Sequence, residues 1–133
     1  MDSQDAIDPL SALPVEFQHG LDQLDQRRYF ECHETLEVIW RREKGPVREV
    51  YQGVLQIAVG CYHLVERHNW VGAVNKLDAG VERLRKSKQF IRFSLEPLIG
   101  QAQAFSAHLK QIGRDRVTLY DESLLPKAPF ISL

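Results

Sequence analysis

The sequence predicts an all-α fold, a single-domain antiparallel bundle of about five helices with an extended C-terminal tail. Three observations carry that prediction. Apolar residues recur at spacings of three and four through successive stretches of the chain. No strand-like alternation runs longer than Val117–Tyr120. The breaks between periodic stretches are short, which favours antiparallel neighbours. With 133 residues, one domain is expected, long enough to bury a substantial core.

Residues 1–13 are polar and acidic and read as a flexible N-terminal segment. Pro14 suits a first helical turn, and Phe17, Leu21 and Leu24 then give a helix over 14–26. A second helix, 29–42, has Tyr29, Cys32, Leu36, Ile39 and Trp40 on its apolar face, and Gly45-Pro46 ends it. The third, 47–66, is apolar almost all round, as a buried central helix should be. His68-Asn69 breaks it, and Trp70 opens a fourth helix through Ala73, Val74, Leu77, Val81 and Leu84. Between Lys86 and Leu95 the period blurs into a loop or frayed end. Pro97 opens a fifth helix, with Leu98, Ala102, Phe105, Leu109 and Ile112 on one face and Gly113 as its stop. The helical domain thus spans 14–113. The tail, 114–133, is rich in apolar residues (Leu119, Leu124, Leu125, Phe130, Ile131, Leu133) and is expected to lie extended on the bundle or on a second copy, as in a homo-oligomer.

Composition excludes several function classes. A net charge of −1, with Lys and Arg mixed among Asp and Glu, provides no basic surface for nucleic acid. The densest basic stretch, Arg83 to Lys88 with Arg92, reads as a solvated helix end. No apolar run is long enough to span a membrane, and the acidic N-terminus is unlike a secretory signal, so a cytoplasmic location is expected. Cys32 and Cys61 read as buried free thiols, and His19, His68 and His108 as isolated and solvent-facing.

The chemistry-bearing residues fall on two helices. On the central helix Gln52, Gln56 and His63 lie within about 40° of one another, a polar stripe on an apolar cylinder. Burying an unpaired amide costs on the order of 1–3 kcal/mol, so these groups need partners. The second helix offers them: Phe30, His33, Glu34, Glu37 and Arg41 gather along one edge of its apolar face. Packed as an antiparallel pair, the two helices would form one buried cluster of His33, Glu34, Glu37, Gln52, Gln56 and His63, fit to bind a small polar ligand or a partner segment. His33-Glu34-x-x-Glu37 also invites comparison with the zincin H-E-x-x-H pattern, Glu37 standing where the second His would be. In that reading a divalent metal is held by His33, Glu37 and His63, with Glu34 as catalytic base of a hydrolase.

Three ordered segments resemble a known family. They are YFECHETLEVIWR (29–41), YQGVLQIAVGCYHL (51–64) and NWVGAVNKLDAG (69–80). Their pattern is similar to that of domain of unknown function 309, of the form F-E-x-H-E-x-L-E-x-x-W, then Q-G-x-x-Q-x-A-x-x-x-Y-H, then N-x-x-G-A. It falls on Phe30, Glu31, His33, Glu34, Leu36, Glu37 and Trp40. It continues on Gln52, Gly53, Gln56, Ala58, Tyr62 and His63, and ends on Asn69, Gly72 and Ala73. The resemblance implies a compact helical bundle and lends no enzyme class. A third reading therefore stands beside the ligand site and the metal-dependent hydrolase: an interaction module of stacked helical hairpins without chemistry.

Overall fold

The computed structural model describes residues 13–92 and 94–128. The expected flexible segment 1–13 lies, apart from Leu13, outside the described residues, as do Phe130, Ile131 and Leu133 of the tail. The fold is all-helical, with no strand among the described residues. Five α-helices follow in order: α1 (Val15–Asp25), α2 (Tyr29–Arg42), α3 (Arg48–Arg67), α4 (Trp70–Ser87) and α5 (Glu96–Ile112). Short 3₁₀ turns occupy Lys88–Phe90, Arg114–Leu119 and Glu122–Leu124. No described helix is long and apolar enough to cross a membrane.

The helix boundaries have local causes. At the end of α1, Arg27 takes a left-handed conformation (φ 61°), which lets the Arg28 N–H reach the Gln23 carbonyl at 2.8 Å. His68 does the same after α3 (φ 48°), and the Asn69 N–H returns to the His63 carbonyl at 2.9 Å. Asn69 then caps α4, its side-chain oxygen accepting from the Gly72 N–H at 2.9 Å. α3 and α4 therefore fold back on one another through a two-residue link, His68-Asn69.

α3 is the centre of the bundle. α2 packs on one flank and α4 on the other, while α1 covers α2 and α5 covers α4. The α3–α4 approach is closest where Gly53 crosses Gly80. A Cβ on Gly80 would lie 2.8 Å from the Gly53 carbonyl oxygen, and one on Gly53 would lie 2.6 Å from Leu84 Cδ2. Ile57 also meets α4 at this crossing, its Cγ1 2.8 Å from where a Gly80 Cβ would lie, while Leu36 of α2 lies against Gly20 of α1. α5 is tied to α4 by Trp70, whose indole N–H donates to the Leu109 carbonyl at 2.7 Å, and by Ser106 donating to Asp78 at 2.6 Å.

Beyond Gly113 no further long helix forms among the described residues. Arg27 and Glu122 pair at 2.6 Å, and Leu125 is buried against the bundle. His108, read from sequence as solvent-facing, is half-buried and accepts from the Asp121 N–H at 2.9 Å. The reason is the tail itself, which folds back along α5.

Candidate functional site

The polar stripe of α3 lies between its two neighbours. Gly53 and Gly60, which meet α4, are about 80–100° from Gln52 on one side. Tyr62, which stands beside Phe30 of α2, is about 80° away on the other. Gln52, Gln56 and His63 therefore occupy the bottom of a furrow with α2 and α4 as its walls.

At one end of this furrow the stripe meets an ion-paired partner, beside a cavity of about 300 Å³ lined by Glu49 and Arg83 among others. Gln56 is buried, and its side-chain oxygen accepts from Arg83 Nε of α4 at 3.0 Å. The same guanidinium pairs with Glu49, about two turns away on α3. Arg83 is half-buried here, so the basic stretch read as a solvated helix end contributes a structural partner at its first residue. The expectation that α2 acids would satisfy the buried amide is corrected accordingly: α4 does it.

The other end is different. Tyr29, Phe30 and His33 of α2 and Val59, Tyr62 and His63 of α3 line a cleft of about 200 Å³. The Phe30 and Tyr62 rings stand 6.0 Å apart, centroid to centroid, and Phe30 remains 53% exposed at the rim. His63 abuts the first turn of α4: a Cβ on Gly72 would lie 3.1 Å from its Cδ2. Its Nδ1 is buried with no hydrogen-bond partner among the described residues. Burial, aided by the positive charges of Lys76 and Arg67, lowers the His63 pKa from its ordinary value and so favours the neutral ring.

The structure thus divides the six sequence-predicted site residues. His33 and His63 share the cleft. Glu37 lies beside it, 3.8 Å from His33 Nε2 and held by Arg41 at 3.2 Å. Glu34 is exposed, and Gln52 is half-buried at the far end of the stripe from His63. Gln56 belongs to the Arg83–Glu49 network. Among the described residues, no three His, Cys, Asp or Glu side chains converge as a metal site requires. His33, Glu37 and His63 therefore do not form the ligand set considered from sequence, because the α2–α3 crossing puts the two imidazoles on the walls of an apolar gap. Cys32 and Cys61 are buried, and burial pushes both thiols up to about 12, which removes them as nucleophiles at neutral pH.

Sequence reasoning did not assemble the cleft's apolar lining. Phe30 was within the edge strip of α2, and its large exposure next to Tyr62 is the feature that separates it from core. Much of the motif is accounted for by packing. Leu36 is core, Gly53 permits the α4 approach, and Asn69 with Gly72 caps α4. Trp40 carries the Arg48 guanidinium 4.1 Å above its ring and accepts its Nε at the Trp40 carbonyl, 2.9 Å away. Tyr62 packs at the edge of the core and His33 faces Glu37, whereas Phe30 stays 53% exposed.

Residues 17–75 match the family model described as "Domain of unknown function (DUF309)". Over 48 residues, 35% of this chain, the sequence is 46% identical to "Uncharacterized protein YpuF" of Bacillus subtilis (strain 168). The aligned stretch covers 27% of that protein's length. No solved structure matches the chain.

Proposed function

We propose, for a chain whose residues 17–75 match the DUF309 family, that it is a binding domain whose α2–α3 cleft receives a ligand or partner group about the size of one ring. The observation that carries this reading is the open cleft itself, lined by three aromatic rings, two imidazoles and Val59. A packing defect of this size inside a core would be filled by neighbouring side chains. Here the aromatic rim stays half in solvent, with Phe30 53% exposed. In this reading Phe30 and Tyr62 supply apolar contact, and His33 and His63 supply the polar groups that orient the occupant.

A panel of single-ring compounds titrated into the isotope-labelled protein tests it. Binders should shift the amide and imidazole resonances of Phe30, His33, Val59 and His63. A Val59→Trp variant, which fills the cleft, should abolish those shifts while remaining folded. If no compound moves these resonances, or if binders move the wild type and the variant alike, the cleft is not a binding site.

A further inference from the structure

The open end of the furrow carries a hole and a knob side by side. The cleft between α2 and α3 holds about 200 Å³, more than the roughly 150 Å³ of an engineered cavity that accepts benzene. On its rim Phe30 projects a ring that is 53% exposed. A free small molecule needs only the hole. A surface that offers both is its own complement, because a two-fold axis between knob and hole sends each ring into the other copy's cleft.

The charges around the cleft suit the same symmetry. Tyr29, Phe30 and Tyr62 are shared with an adjoining shelf whose cations are paired, Arg27 with Glu122 at 2.6 Å and Arg28 with Glu31 at 3.6 Å. Glu66, the shelf's other carboxylate, has no ion-pair partner among the described residues. Neither has Arg67, which stands 5.7 Å from the Tyr62 ring centroid. The two are exposed, successive residues about 100° apart on α3, and so do not face one another. One free carboxylate and one free guanidinium beside the same ring balance in charge, and across a two-fold axis each can meet its opposite.

We infer that the chain pairs with a second copy of itself through this end of α2 and α3. The Phe30 ring of each copy sits in the cleft of the other, and Glu66 of each faces the partner's Arg67. The inference rests on the binding reading above and names the occupant of the cleft. The face is confined to one end of the bundle, and exposed ion pairs contribute little, so the assembly is weak and concentration-dependent.

Sedimentation equilibrium of the full chain over a wide range of concentration tests it. The wild type should pass from monomer to dimer. Phe30→Ala should weaken the dimer about a hundredfold, and Val59→Trp, which fills the cleft, should do the same. Glu66→Arg and Arg67→Glu should each weaken it roughly tenfold. An equimolar mixture of those two variants should dimerise at least as well as the wild type, since every free charge again meets its opposite. In a mixture of isotope-labelled and unlabelled chains, the Val59 methyls of one copy should contact the Phe30 ring of the other. A chain that stays monomeric, while single-ring compounds still shift the Val59 and His63 resonances, overturns the pairing and leaves the cleft a binding site for another occupant. A dimer indifferent to Phe30→Ala, Val59→Trp and the charge reversals forms through a different face and overturns it equally. If the chain is monomeric and no compound moves those resonances, the pairing and the binding reading fall together.

Discussion

The two ends of the α3 stripe have the same helix beneath them and opposite outcomes. At the Gln56 end, Arg83 reaches down from α4, bonds the amide and is itself held by Glu49. At the His63 end no such residue arrives: Gly72 brings α4 close without filling space, and the α2 side chains leave an open cleft. A polar group placed on a central helix is thus structural where a neighbouring element satisfies it. It becomes available for binding where the neighbours stand apart. The difference lies in what α4 carries at two positions, a long cation at Arg83 and no side chain at Gly72.

The strongest way to break the comparison is to move α4 away from both ends at once. Gly80→Leu places atoms where the Gly53 carbonyl lies 2.8 Å from the first added carbon, against rigid backbone. A stability loss of about 3 kcal/mol, at the upper end for overpacking, is expected in urea denaturation. The same variant should disturb the resonances of Gln56 and His63 alike.

Next in size is a change confined to the ion-paired end. Arg83→Ala leaves the buried Gln56 amide unsatisfied and should cost about 1–2 kcal/mol, with the His33 and His63 imidazole resonances unmoved. Equal perturbation of both ends would mean that they are one network.

A smaller effect belongs to the open end. The groups facing His63 are Lys76 from α4, Arg67 from its own helix, and His33 with Glu37 from α2. Its folded pKa is lowered from 6.5, so the unfolded chain binds the proton more tightly. The folded state keeps its full stability above about 6.5 and loses some as pH falls through that value towards the folded pKa. His63→Gln should flatten this part of the stability profile. An unchanged slope would place the imidazole in a more solvated setting. Smallest of all, Glu34→Ala should alter stability by no more than about 0.5 kcal/mol, because the residue is exposed.

The helices were legible in the sequence because their signals are local. The 3.6-residue period marked each apolar face, and Gly45-Pro46, His68-Asn69 and Gly113 marked the ends. The stripe was legible for the same reason. Its partners were not, since they depend on where a second helix crosses the first. Gln56 sits on the wheel between the α2 and α4 flanks, and periodicity does not choose between them. Glu34 and Glu37 were the nearer acids in sequence, but the crossing assigned Gln56 to Arg83, 27 residues on. The cleft was harder still to read, because it arises from what the facing residues leave unfilled.

Crystals pressurised with xenon test the contrast between the two ends most directly, since xenon enters open apolar space without needing a polar partner. One xenon atom should appear between Phe30, His33, Val59 and Tyr62 in every copy whose cleft holds no neighbour's ring, and none beside Gln56 and Arg83. An empty cleft, closed over by the Phe30 and Tyr62 rings, would contradict the account.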